Sequence, residues 1–102
     1  MAEQGIEHFQ TRLYAVDHQL LDALEHRVRL VAELLRLKQL HGLPPHDQEQ
    51  ENEVVARLAE ERRDVLAEES IRDFVALVLW LSREEAARAL ARREARRPHL
   101  DD

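Results

Sequence analysis

Apolar residues in the first forty positions recur every three or four places, which is the spacing of one side of an α-helix. The pattern runs unbroken to Pro44 and Pro45, which disrupt helices, and Gly42 is placed to cap a helix just before them. The residues that carry the pattern are Ile6, Phe9, Leu13, Val16, Leu20, Leu24, Val28, Val31 and Leu35. We therefore predict one long helix over about 6–41.

A helix of that length predicts a partner surface. About 36 residues at 1.5 Å each span about 54 Å, whereas a compact domain of about 100 residues has a radius of gyration near 13 Å. One end of the helix must then extend beyond any globule that its own chain can form. A second copy of the same chain is the simplest surface to cover it, so we predict a homodimer.

A shorter second helix is predicted over about 47–63. Asp47 is a suitable N-cap, and Glu49 and Glu51 suit the positive end of the helix dipole. Its apolar face consists of Val54, Val55 and Leu58, with Val65 as a further candidate.

The third helix is predicted over about 69–96 and begins with the most apolar stretch of the chain. Arg, Glu and Ala alternate over 83–97, which is typical of a solvated helix end, and Pro98 would finish it. Trp80 falls off the helix face that carries Ser82, so we expect it to pack, at the dimer contact.

Composition supports an all-α fold and narrows the functional classes. Only 2 of 102 residues are Gly and 3 are Pro, and aromatic residues make up 4%, so β-sheet folds are disfavoured. The net charge of −6 argues against a nucleic-acid binder. No apolar stretch is long enough to suggest a membrane span. The absence of Cys and an acidic N-terminal segment lead us to expect a cytoplasmic protein.

Two cationic residues occupy positions of the first helix where its periodicity predicts apolar residues. Arg27 takes the heptad position of Ile6, Leu13 and Leu20, and Lys38, the single lysine, follows eleven residues later. Eleven residues turn a helix by about 20° beyond whole turns and advance it by about 16 Å. Arg27 and Lys38 thus share a face, either reaching out to solvent at the bundle edge or lining a cavity for an anionic ligand.

Other polar residues allow both structural and functional interpretations. Asp47 and Glu51 either cap the second helix or face a ligand, and Ser82 either bonds to the preceding turn or faces a ligand. None of the six His residues pairs at i, i+4, and there is no Cys, so no metal site is predicted.

Three segments resemble the all-helical (AroQ-class) chorismate mutases. They are LYAVDHQLLDALEHRVRLVAELLRLK in the first helix, LPPHDQEQENEV at the second, and FVALVLWLSREEA in the third. The resemblance covers about 6–92 and implies a single helical domain over 1–102, forming an intertwined homodimer with two equivalent sites.

The resemblance also implies a set of site residues. Those that match the family's pattern are Arg27, Lys38, Asp47, Glu51 and Ser82. Three positions depart from the pattern: Gln10 and Gln50 stand where the family has arginines, and Ala86 stands where it has a glutamine. Glu85 lies three residues after Ser82 and is a candidate to take over the glutamine's role if protonated.

The function implied by the resemblance is the rearrangement of chorismate to prephenate, without a cofactor. Lys38, Arg27 and Glu51 would be catalytic. The substrate-binding positions would be Asp47, Ser82, Gln10, Gln50, Glu85 and Ala86. Two alternatives stay open: an enzyme acting on a related anion such as aminochorismate or isochorismate, and a catalytically silent helical binding or dimerisation protein.

Overall fold

The computed structural model describes residues 2–96, with the side chains of residues 5–96, and consists of three α-helices. Helix α1 spans Ala2–Leu40, α2 spans Gln48–Arg62 and α3 spans Glu68–Arg96. Within these residues there is no strand. The predicted all-α fold with one very long helix is confirmed, since α1 contains 39 residues. No helix in this part of the chain is both long and apolar enough to cross a membrane.

Helix α1 ends in a backbone motif that depends on Gly42. Its φ of 67° lies in the left-handed region that glycine adopts without a steric penalty. The Gly42 N–H donates to the Gln39 carbonyl at 3.2 Å, and the Leu43 N–H donates to the Lys38 carbonyl at 2.8 Å. These two bonds form a Schellman motif, which places Lys38 in the last turn of α1, immediately before the chain turns toward α2.

Helix α3 is the element on which the other two pack. Both α1 and α2 contact α3, whereas α1 and α2 do not pack against each other within the described residues. Most of the buried side chains are small, which lets the helix backbones approach closely; the buried set is Ala32, Ala59, Ile71, Leu79, Ser82 and Ala86. The arrangement leaves a gap between α1 and α2 that α3 closes on one side.

One chain alone is elongated and exposes much apolar surface. It measures 70 × 33 × 13 Å, with a Cα radius of gyration of 18.8 Å, against about 13 Å for a compact chain of this size. Every described side chain from 5 to 23 in α1 is exposed. The apolar members of this exposed stretch are Ile6, Phe9, Leu13, Tyr14, Val16, Leu20 and Leu21. The first half of α1 therefore has no partner within the described part of this chain.

An ion-pair cluster joins the second half of α1 to α3. Arg93 Nη1 lies 3.3 Å from Glu33 Oε1, and Arg36 Nε lies 3.2 Å from Glu33 Oε2. Hydrogen bonds from Arg36 and then Arg93 lower the pKa of Glu33. All three side chains are well exposed, so the cluster contributes little to stability.

The sequence prediction for Val65 is wrong. Helix α2 ends at Arg62, and the Val65 N–H donates to the Arg62 carbonyl in the turn that follows. Val65 is consequently 86% exposed and does not extend the apolar face of α2. Val65 has the sequence spacing of a residue on the apolar face of α2, but it would join that face only if the helix continued beyond Arg62.

Candidate active site

A cavity of about 160 Å³, which we call the central cavity, lies between the three helices. Its polar lining residues are Arg27, Lys38, Asp47, Gln50, Glu51 and Arg83. Its apolar lining residues are Val31, Leu34, Leu35, Pro45, Val54 and Leu79. The cavity occupies the gap that results because α1 and α2 both pack on α3 and not on each other.

Helix α1 brings both of its out-of-pattern cations to this cavity. Arg27 and Lys38 are partly buried and line the same wall, as expected from their spacing of eleven residues. Burial lowers the pKa of Arg27, and the nearby charge of Glu51 partly opposes this effect. The same partial burial removes water from around the guanidinium, which strengthens its attraction for an anion that enters the cavity.

Glu51 faces Arg27 from α2 and contacts two further basic side chains. Arg83 Nε lies 2.9 Å from Glu51 Oε2, and His46 Nε2 lies 3.4 Å from Glu51 Oε1. The Glu51 side chain is only 15% exposed, and the Arg83 side chain is 28% exposed. The Glu51 carboxylate of α2 therefore interacts with one basic side chain from the preceding loop and one from α3.

Asp47 and Gln50 form the beginning of α2 and also line the cavity. Asp47 is the N-cap, since its Oδ1 accepts a hydrogen bond from the Gln50 N–H at 3.2 Å. The capping interpretation of Asp47 is thus confirmed, and its position at the cavity is compatible with a second role. Gln50 contributes a neutral amide to the wall.

Four other candidate residues do not line the central cavity. Ser82 is fully buried, and its hydroxyl donates to the Val78 carbonyl at 2.7 Å, the back-bonded arrangement considered from the sequence. Ala86 is buried in the helix packing, and Glu85 pairs with Arg88 on the same helix. Gln10 is exposed on the half of α1 that extends beyond the other helices.

Sequence reasoning missed Arg83 and His46. We predicted a solvated helix end from residue 83 onward, and for Arg83 this is wrong because the side chain is mostly buried and lines the cavity. One signal was available: Arg83 lies one helical turn after the buried Leu79, on the same side of α3. His46 lies in a loop, where periodicity predicts no orientation.

Larger cavities elsewhere in the described residues are not lined by charged side chains from all three helices. One of about 370 Å³, between the ends of α1 and α3, has Glu94 as its single charged lining residue. One of about 590 Å³ is bordered by the arginines at the ends of the same two helices. Within the described residues, no three His, Cys, Asp or Glu side chains are grouped to hold a metal ion.

Comparison with known proteins identifies the family. No curated protein and no solved structure is similar enough to the chain to count as a match. The sequence model that describes the chorismate mutase type II family matches residues 10–87 of this chain. This match runs from the exposed half of α1 into α3 and includes every candidate site residue named above. Because it covers well over half of the sequence, the chain belongs to the chorismate mutase type II family.

Proposed function

We propose that this protein is an isomerase that rearranges chorismate to prephenate, with its active site in the central cavity. The observation that carries the proposal is the convergence of Arg27, Lys38 and Glu51 on one cavity, in a chain of the chorismate mutase type II family. A plain helical dimerisation module would explain the long helix, but it gives no reason for two cations to line the same cavity.

The reaction suits a site built from charges alone. In a single pericyclic step the ether C–O bond of chorismate breaks as a new C–C bond forms, so no nucleophile, general base or cofactor takes part. The protein has to hold a flexible dianion in a compact conformation and stabilise the negative charge that develops on the ether oxygen. Fixed cations in a partly dehydrated cavity can do both.

Each residue then has a distinct role. Arg27 binds a substrate carboxylate through its planar guanidinium, and Lys38 binds the ether oxygen and a carboxylate. Glu51 and Asp47 face the region of the ring hydroxyl. Ser82 would reach a substrate carboxylate only after its hydroxyl leaves the Val78 carbonyl, which it contacts at 2.7 Å.

The proposal includes a homodimer. A compact monomer of 12.0 kDa exposes about 6,000 Å², whereas this chain alone exposes 8918 Å². An excess of this size is what an obligate interface buries. A second copy lying along the exposed half of α1 would cover its apolar stripe and, as the family resemblance implies, bring Gln10 to the partner's cavity.

The two glutamines favour a slower reaction or a related substrate, whereas the retained Arg27 and Lys38 favour binding of a small anion. Gln50 lines the cavity as a neutral amide where the resemblance predicts an arginine. Each missing charge-assisted hydrogen bond removes about 1.5–3 kcal/mol of attraction for a carboxylate. Aminochorismate and isochorismate keep the two carboxylates of chorismate but differ in the other groups on the ring, and they form the second candidate substrate class.

The deciding experiment follows the loss of chorismate absorbance with purified protein, beside a Lys38→Ala variant. We expect the variant to lose about 10²- to 10³-fold in kcat/KM, because it removes the cation at the ether oxygen. Arg36→Ala is the matched control. It removes one positive charge two residues away, from a side chain that is 49% exposed and paired with Glu33 rather than lining the central cavity.

Each outcome distinguishes a different version of the proposal. Turnover that requires Lys38 but not Arg36 supports the chorismate reaction in this cavity. Absence of turnover at high protein concentration excludes chorismate as the substrate, and the same assay is then run with aminochorismate and isochorismate. Absence of turnover with all three would favour the silent binding protein.

A further inference from the structure

Arg83 of α3 is a third cation in the central cavity, and the family resemblance gives it no role. It lines the cavity together with Arg27 and Lys38, which α1 supplies. Its side chain is 28% exposed and contacts Glu51 through the 2.9 Å approach of Nε to Oε2. The cavity therefore has positive charge on two walls that belong to different helices.

The guanidinium of Arg83 has hydrogen-bonding capacity that the protein does not use. Its Nε is buried, and although Glu51 lies close by, the N–H is not aligned to form a hydrogen bond with any acceptor among the described residues. Arginine has five N–H donors. A buried donor without an aligned acceptor costs free energy, so the Arg83 guanidinium would gain by turning from Glu51 toward an acceptor on an anion in the cavity.

The charge balance of the cavity also favours an anion, because the lining carries an excess of one positive charge. Arg27, Lys38 and Arg83 outnumber Asp47 and Glu51. Asp47 already accepts the capping hydrogen bond at the start of α2, so its carboxylate is partly satisfied. Helix α2 contributes the neutral amide of Gln50 to the lining, and α3 contributes the guanidinium of Arg83.

We propose that Arg83 binds one of the two carboxylates of the substrate, replacing the positive charge that is missing at Gln50. This inference rests on the proposed function and extends it to a residue outside the family pattern. On binding, the guanidinium turns from Glu51 toward the substrate carboxylate. Glu51 keeps His46 and the positive charge of Arg27 nearby, so it is not left as an isolated buried charge.

A purely positioning role is the competing explanation, in which Arg83 only holds Glu51 in place. The two explanations differ in which ligands should lose affinity when Arg83 is substituted. A residue that binds one carboxylate affects only ligands that carry that carboxylate. A residue that acts through Glu51 affects every ligand that reaches the cavity, by a similar factor.

The test compares three probes by calorimetric titration. They are the bicyclic ether dicarboxylate that mimics the rearrangement transition state, and two monocarboxylates that each lack one of its carboxylates. Each is titrated into wild type, Arg83→Gln and Arg72→Gln. The Arg72 control removes an arginine from the same helix that is 47% exposed, pairs with Glu68 and lies away from the cavity.

We expect Arg83→Gln to weaken dicarboxylate binding by about 10- to 100-fold. The loss should recur with one monocarboxylate and be absent with the other, and Arg72→Gln should bind all three as wild type does. Circular dichroism melting checks that the variants are folded. If Arg83→Gln does not fold, Arg83→Lys makes the same comparison, because it keeps the charge but loses the planar fork.

Two results would overturn the inference while leaving the proposed function intact. Unchanged dicarboxylate binding in Arg83→Gln shows that Arg83 does not touch the ligand. An equal loss with all three probes shows that it acts only through Glu51. A wild-type protein that binds none of the probes overturns the proposed function and this inference together.

Discussion

The exposed apolar stripe of α1 makes oligomeric state the most informative property to perturb. Leu13 lies in the middle of the stripe and is 62% exposed in the single chain. If a second copy covers this stripe, Leu13→Glu places a carboxylate in an apolar contact twice per dimer. We expect the variant to dissociate and, because the first half of α1 then has no partner, to lose helix content as well.

The size of the effect follows from the exposure of Leu13. Fully burying a leucine contributes about 1.5–3 kcal/mol, so covering the exposed 62% contributes about 1–2 kcal/mol in each copy. Two copies give about 2–4 kcal/mol, which corresponds to a dimer Kd that is weaker by about 30- to 1,000-fold. Desolvation of the two new carboxylates adds to this loss.

Analytical ultracentrifugation over a range of concentrations measures this change directly. Thr11→Glu is the matched control, since it adds the same charge two residues away, about 200° around the helix from Leu13. We expect Thr11→Glu to sediment as the wild-type dimer does. The reasoning is refuted if wild type sediments as a monomer, or if Leu13→Glu and Thr11→Glu have the same dimer Kd.

Three further substitutions, each at a single residue, give testable predictions. Arg27→Met should have a Tm equal to or above that of wild type, because burial of the guanidinium lowers the pKa of Arg27 and thus penalises its charged form at neutral pH. The dicarboxylate mimic at 100 times its Kd should stabilise wild type by about 2.7 kcal/mol. Arg27→Met should lose this stabilisation at the same ligand concentration. Gly42→Ala should lower stability by about 1–2 kcal/mol, because an L-residue is disfavoured at its φ of 67°. Gly5→Ala, in a helical position with open space around it, should raise stability by about 0.5–1 kcal/mol.

Melting curves check all three predictions, and for Arg27→Met they are recorded with and without the dicarboxylate mimic. A large fall in Tm for Arg27→Met would show that the guanidinium contributes net stability to the fold. The cost of the Arg27 charge is relieved only as the pH rises through its lowered pKa, so the Tm difference from wild type should stay constant across neutral pH. Equal effects of the two glycine substitutions would contradict the requirement for left-handed backbone at Gly42.

The sequence was informative wherever a short-range rule applies. The end of α1 follows from Gly42 and the two prolines, because a left-handed residue and a missing N–H stop a helix locally. The shared face of Arg27 and Lys38 follows from helical periodicity alone. Val65 shows the limit of such rules, because an apolar residue at the right spacing carries no information about whether the helix still continues there.

The roles of Ser82 and Arg83 depended instead on how the helices pack. The two residues are neighbours on α3, yet Ser82 is buried with its hydroxyl bonded to Val78, while Arg83 lines the central cavity beside Glu51. Which of them would face the cavity depends on where α1 and α2 lie on α3, and that position is decided by contacts far apart in sequence. Periodicity within each helix determined which residues share a face; only the tertiary structure decided which faces meet, because helix packing sums many distant contacts that no local pattern encodes.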